Sequence, residues 1–327
     1  MSVTNDFPVI TIIDGSASMQ ISKHGAVNPD GDPLWTSRFL ETNPEIIIQA
    51  HLDFLEAGSD VISTFTYQAS IEGFMQHLNK TETGSINLIK GAVDLARTAI
   101  EKFKETHPEL KNVEIRIAGS VGPYGACLHD GSEYTGNYEQ HVSKTFLATW
   151  HAKRIDALID AGVDLLALET IPCLKEAETL VELIKNYPNI KAWLSFSCKD
   201  NVCLSNGENF QTAANFCYNL NPEQLVAVGV NCLSPKFVND LIYGINKNRE
   251  SIPIPLIVYP NSGEEYDEQY GWTGKNTCRP ISEYVKTWLD MGVKWIGGCC
   301  RTDDTTIMKI RQELIKWKED KQNQLNI

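Results

Sequence analysis

The 327-residue sequence predicts an α/β fold, a single (β/α)8 barrel domain running 1–327, and three observations carry that expectation. Eight short apolar runs recur along the chain; each is apolar on both faces, as a doubly covered parallel strand must be; amphipathic stretches of helical character separate them. The chain is also long enough for the roughly 250 residues that a closed barrel of this kind needs. An open doubly wound sheet is the alternative reading of the same alternation. With 42% hydrophobic residues, either can bury a large core.

Taken in order, the first run is Val9 to Ile13, which ends at Asp14-Gly15. The second, Val61 to Phe65, leads into Thr66-Tyr67-Gln68, and the third is Val113 to Ala118. Leu165 to Leu168 is closed by Glu169-Thr170, Ala192 to Phe196 follows, and Val226 to Val230 is closed by Asn231-Cys232. Pro255 to Val258 runs into Tyr259-Pro260-Asn261, and Trp295 to Ile296 into Gly297-Gly298-Cys299-Cys300. Ala57-Gly58-Ser59-Asp60, Ala161-Gly162-Val163-Asp164 and Met291-Gly292-Val293-Lys294 precede strands and read as helix ends, with glycine free to take the left-handed turn. Asn43-Pro44 and Ser234-Pro235 read as helix starts, a capping side chain before proline at the first helical position. Longer irregular stretches, Lys23 to Arg38, Gly119 to Asn137 and Asn261 to Pro280, follow the first, third and seventh strands, and Ile307 to Lys321 reads as a solvated last helix.

Composition narrows the function. A formal charge of −13 disfavours nucleic acid, whose binding rests on basic contacts to phosphate. Nine cysteines without a basic and apolar leader point to a reducing, cytoplasmic setting, and no apolar run approaches the roughly 20 residues that span a bilayer. No extra arm or coiled-coil segment suggests assembly, so a monomer is the default expectation.

Chemistry concentrates where strands end, which in such barrels is where active sites form. Cys299 and Cys300 follow two glycines after the last strand, and the glycines permit backbone angles that would swing both sulfurs toward one point. Cys232 closes the sixth strand, 299 − 232 = 67 residues earlier, too far for a zinc finger and natural for two strands of one barrel. Three thiolates favour zinc and leave a fourth tetrahedral position open for water or substrate. The bland reading is three buried free thiols, and Cys127, Cys173, Cys198, Cys203, Cys217 and Cys278 are expected to be only that.

The quoted segments, with Asp32-Pro33-Leu34-Trp35, Thr64-Phe65-Thr66-Tyr67-Gln68-Ala69-Ser70, Gly119-Ser120-Val121-Gly122-Pro123-Tyr124-Gly125, Asp130-Gly131-Ser132-Glu133-Tyr134 and Tyr259-Pro260-Asn261-Ser262-Gly263, resemble the homocysteine S-methyltransferase family over nearly the whole chain. The stretch from Gly119 through Tyr134 is similar to the branch that uses sulfonium donors rather than betaine. At the first motif, Ser16 stands where many members have a second glycine. The resemblance implies Zn2+ on Cys232, Cys299 and Cys300, and homocysteine as the thiol acceptor. It implies S-methylmethionine or S-adenosylmethionine as the methyl donor, the former favoured because no glycine-rich dinucleotide-type turn marks a nucleoside site. It places the acceptor's ammonium on Asp14 and Glu169 and its carboxylate on backbone amides around Gly15 and Ser16, and makes Tyr67 and Asn231 further substrate contacts.

Bland alternatives stand beside these. Asp14 also suits a turn, Tyr67 a core position, and Asn231 a strand end or a brace for a metal thiolate. Selenocysteine or another small thiol is a conceivable acceptor. Two other classes fit the cysteines: a redox protein cycling a Cys299–Cys300 disulfide, and a structural zinc protein whose fourth ligand closes the site.

Overall fold

The computed structural model describes residues 10–25, 28–247, 249, 252–267 and 271–325. Its strands are β1 Thr11–Ile12, β2 Val61–Ser63, β3 Arg116–Val121, β4 Leu165–Ile171, β5 Lys191–Phe196, β6 Leu225–Asn231, β7 Leu256–Tyr259, β8 Glu265–Asp267, β9 Gly271–Thr273 and β10 Val293–Ile296. Eight of these form one sheet in the order β1-β10-β7-β6-β5-β4-β3-β2, every neighbouring pair parallel. A parallel bridge between Ile13 and Val61 joins the two ends of that order. The sheet is therefore a (β/α)8 barrel in a single domain, and the open doubly wound alternative falls.

Two apolar layers explain why the strands read apolar on both faces. Inside the barrel lie Ile13, Val61, Leu165, Trp193, Ile257, Tyr259 and Trp295, with Ala118, Ala167 and Ala227 making room for two indoles whose centroids are 5.7 Å apart. Outside, the alternate residues, among them Ile12, Ile62, Leu166, Leu168, Val228, Val230 and Val258, pack beneath the helices. Val9 lies outside the described residues.

Predicted boundaries agree to within a residue for β5, β6 and β7, while β2 stops at Ser63, β4 runs on through Glu169 to Ile171 and β10 starts at Val293. The third strand starts at Arg116 rather than Val113, because Val113 closes a turn onto Leu110 and is 46% exposed. It then runs past the glycine to Val121, since Gly119 and Ser120 pair with Leu166 and Ala167. The stretch from Asn261 to Pro280 is not wholly irregular: β8 and β9 form an antiparallel hairpin there, pairing Glu265 with Thr273. The stretch from Gly119 to Asn137 likewise contains short helices at Tyr124–Leu128 and Ser132–Tyr134.

Helix signals fare similarly. Gly58, Gly162 and Gly292 follow helix ends with φ of 94°, 85° and 92°, the left-handed turn expected of them. Pro44 and Pro235 open helices as predicted, but neither Asn43 nor Ser234 makes a side-chain cap bond. The last helix is longer than its apolar pattern, Asp304–Leu325. Among the described residues no helix is long and apolar enough to cross a membrane.

Candidate metal and substrate site

The sulfurs of Cys232, Cys299 and Cys300 lie within 4.8 Å of one another at the C-terminal ends of β6 and β10, with Cys232 and Cys300 3.3 Å apart. A tetrahedral zinc with sulfur at about 2.3 Å needs its sulfurs about 3.8 Å apart, so the trio is already near that spacing. No fourth His, Cys, Asp or Glu joins the cluster among the described residues, which leaves the open position that a structural site would lack. Hydrogen bonds from Cys299 and Cys300 hold the Cys232 thiol well below the ordinary range, while those two thiols are themselves pushed well above it, so the trio is disposed to carry one negative charge, on Cys232.

Backbone strain builds this corner. Cys232 has the parity of Val228 and Val230, which pack outward, but its φ of 52° breaks the alternation. Thr170, at the end of β4, has φ 59°, and left-handed backbone at a non-glycine residue persists only where the surroundings enforce it. Asn231 does so here: fully buried, it accepts from the Thr170 amide at 2.8 Å, donates to the Thr170 hydroxyl at 2.7 Å, and reaches the Cys299 sulfur at 3.9 Å. Gly297 and Gly298 do not take left-handed angles, contrary to expectation; what they supply is space. A Cβ on Gly298 would stand 2.2 Å from the Thr302 hydroxyl, and one on Gly297 2.3 Å from Ile13 Cγ1.

Beside the sulfurs opens a cavity of about 840 Å3, lined by Asp14, Gly15, Ser16, Tyr67 and Glu169 together with all three cysteines. Asp14 accepts from the Ser63 amide at 2.6 Å and the Ser63 hydroxyl at 3.1 Å. Glu169 has the parity of Leu165 and Ala167 and enters the barrel mouth, where the Ser120 and Tyr259 hydroxyls donate to it, the latter at 3.1 Å. Tyr259 in turn accepts from Trp193 Nε1 at 2.9 Å, so the barrel's interior packing orients the carboxylate. Burial pushes Asp14 up to about 7, with the negative charge of Glu169 adding to it, and burial pushes Glu169 to about 7 as well. Neither carboxylate meets a lysine or arginine among the described residues that line the cavity.

Two expected substrate contacts are placed differently. Asn231 does not line the cavity, and its polar atoms are directed at Thr170 and Cys299. Ser16 lines the cavity, but its amide donates to the Thr302 carbonyl at 2.8 Å and its hydroxyl caps the helix Ala17–Lys23, leaving the Gly15 amide as the free donor of the pair.

Other groups are given no role in the reading of the sequence. Tyr259, Ser120 and Ser63 hold the carboxylates; Trp35 meets the Tyr67 ring edge-on at 5.8 Å; Glu133, His129 and Trp272 line the cavity; and Tyr134 hydroxyl lies 3.1 Å from the Cys232 sulfur. Trp272 arrives on the unpredicted hairpin, Ser63, Ser120 and Tyr259 stand at or near the C-terminal ends of β2, β3 and β7, and Trp35, His129, Glu133 and Tyr134 come from the segments that follow β1 and β3. The remaining cysteines keep their bland reading: Cys173, Cys198 and Cys217 are buried, with thiols that burial pushes up.

A (β/α)8 barrel whose strand ends gather three sulfurs around an open coordination position belongs to the class of enzymes that activate thiols on a metal. The family model for homocysteine S-methyltransferase matches residues 11–314, and the chain belongs to that family of methyltransferases. It is 45% identical over 315 residues to the betaine-homocysteine S-methyltransferase of Drosophila melanogaster, covering 94% of this chain and 95% of that one. It is 39% identical over 317 residues to the selenocysteine Se-methyltransferase of Brassica oleracea var. italica, with 93% and 88% covered. Among solved structures, the metallated form of the homocysteine methyltransferase MmuM from Escherichia coli matches with a TM-score of 0.81 at 35% identity, over 93% of this chain and 96% of that one. Membership displaces the redox and purely structural readings of the cysteines.

Proposed function

We propose that this enzyme transfers a methyl group from a sulfonium donor, S-methylmethionine in the first instance, to the thiol of homocysteine, with zinc held by Cys232, Cys299 and Cys300. The observation that carries this reading is the open three-sulfur cluster on the wall of a cavity that also holds Asp14 and Glu169. When bound, zinc supplies the Lewis acidity that keeps the acceptor thiol ionised at neutral pH. Asp14 and Glu169 receive the acceptor's ammonium, whose charge draws both carboxyls back to their ionised form. The Gly15 amide is placed for its carboxylate, while Asn231 fixes Cys299 and the strained Thr170 turn.

The transfer itself asks little else of the chain. The thiol's proton leaves for solvent before the transfer; the sulfur lone pair then forms the new S–CH3 bond, and the electrons of the donor's C–S bond return to the donor sulfur, cancelling its charge. Alignment supplies most of the acceleration, and no side chain needs to act as base at that step.

Charge favours the sulfonium. The cavity is lined by Asp14, Asp30, Asp32, Asp130, Glu133, Glu169 and Glu264, and among its described lining residues there is no lysine or arginine. S-Methylmethionine and S-adenosylmethionine bring a net positive charge, whereas betaine is neutral overall with a carboxylate that such a wall repels. Betaine stands as the second reading because a relative 45% identical carries it in its name. Purified zinc-loaded enzyme, homocysteine, and each of the three donors in turn provide the test. Methionine formed with kcat/KM highest for S-methylmethionine supports the proposal, a preference for betaine overturns its donor half, and no product from any donor overturns it whole.

A further inference from the structure

Among the carboxylates that line the cavity, Glu133 is set apart by having no partner among the described residues. Asp14 and Glu169 are held by hydroxyl and amide donors, Glu264 is paired with Arg301 at 3.1 Å, Asp32 is paired with Arg38, Asp30 accepts from Trp35 at 3.2 Å, and Asp130 accepts from the Ser132 amide at 3.0 Å. Among the described residues no other residue donates to the Glu133 carboxylate, and its Oε2 is buried. Its main chain is nevertheless anchored, since the Ser197 hydroxyl donates to its carbonyl at 2.8 Å and Ser132–Tyr134 is a 3-10 turn. A carboxylate kept bare on a fixed backbone stores unfavourable desolvation until a cation arrives.

What surrounds it identifies the cation. Glu133, Tyr67 and Cys232 line one cavity, and the hydroxyl of the adjoining Tyr134 lies 3.1 Å from the Cys232 sulfur, so the carboxylate opens on the same space as the ring and the sulfur trio. The Tyr67 hydroxyl is buried without a hydrogen bond, and Trp35 stands against its ring. An anion beside an aromatic ring suits an onium centre, which carries charge but offers no N–H to satisfy an acceptor. Burial pushes Glu133 up to about 7, and a cation alongside would return it to the ionised form.

We propose that Glu133 is the residue that selects the methyl donor by its charge, its carboxylate facing the donor's sulfonium centre across the Tyr67 ring while Asp14 and Glu169 serve the acceptor. This assignment rests on the sulfonium reading given above. Because the sulfonium charge fades as the methyl leaves, the interaction is stronger before the transition state than in it, and it governs donor affinity rather than the chemical step.

The test compares the zinc-loaded wild type with Glu133→Gln, which removes the charge and keeps the shape, and Glu133→Asp, which keeps the charge. Three readouts are taken: KM for each substrate, calorimetric binding of S-methylmethionine without any thiol, and competitive inhibition by trimethylsulfonium, which has no ammonium. In Glu133→Gln the donor KM and binding constant are expected to weaken about tenfold or more, with trimethylsulfonium inhibition weakening equally. Homocysteine KM is expected to stay within about twofold, and kcat at saturating donor to be unchanged or higher. Glu133→Asp is expected to recover part of the donor affinity. Donor and acceptor KM rising together, or a donor KM that does not move in a variant with wild-type Tm, would overturn the assignment. So would weakened S-methylmethionine binding with trimethylsulfonium inhibition intact, which would place Glu133 on the ammonium. A wild type that makes methionine from betaine alone overturns the sulfonium reading itself, and is distinguished by its failure before any variant is compared.

Discussion

At the scale of single residues, the site is a set of buried carboxylates that the fold leaves short of positive charge. The sign of the resulting pH dependence follows from linkage. Asp14 titrates at about 7 in the fold against 3.8 as its ordinary value, so between those limits the native state binds more protons than the unfolded chain. Its contribution to stability is therefore lost as pH rises from about 4 to about 7, the reverse of a salt-bridged aspartate. Asp14→Asn removes that penalty, and its Tm relative to wild type is expected to improve by roughly a few degrees between pH 5 and pH 8, while homocysteine affinity falls. A Tm difference that stays flat across that range would contradict the burial argument. Asn231→Ala tests the brace: loss of its bonds to Thr170 and Cys299 is expected to weaken metal affinity by about 10–100-fold, read by competition with a chelator, while the substrate KM values move less. A raised homocysteine KM with unchanged metal affinity would return Asn231 to the substrate contacts.

At the scale of elements, strand parity explains which residues reach the site. Glu169 enters the mouth because it shares the inward parity of Leu165 and Ala167, and that much can be read from an alternating pattern. Cys232 cannot be placed that way, since its parity points outward and only a positive φ turns it. The two glycines before Cys299 are legible as a special turn, but the reason lies elsewhere in the chain: Thr302 and Ile13 occupy the volume a side chain would need. Gly298→Ala is expected to displace the turn that carries Cys299 and Cys300, with metal affinity falling at least about tenfold while far-ultraviolet circular dichroism keeps its barrel signature. Undiminished metal affinity would show that the turn yields without moving its sulfurs. The hairpin β8–β9 was hidden in sequence because its strands are three residues each, too short for any alternation to register.

At the scale of the whole molecule, a metal on the cysteines that end β6 and follow β10 would link two strands that are separated in the sheet by β7, and so tie the barrel across about a fifth of the sequence. Since the unfolded chain cannot gather three sulfurs in this geometry, metal binding adds to folding stability by mass action. Stripping the metal with a chelator is expected to lower Tm by several degrees and zinc to restore it, and a Tm indifferent to both would mean the cluster holds no metal in the folded enzyme. By itself the sequence determined the eight strand–helix units, the (β/α)8 class, the cysteine trio, and Asp14 and Glu169 as rim carboxylates, because hydrophobic period, turn glycines and residues next to strand ends are local signals. Only the tertiary structure decided that the Ser16 amide is committed to Thr302, that the Asn231 side chain is directed at Thr170 and Cys299, that Tyr259 and Ser120 hold Glu169, and that Glu133 lines the cavity with no donor among the other described residues. Those facts depend on which groups from distant loops consume each other's hydrogen bonds, and hydrogen-bond capacity is settled in three dimensions, not along the chain.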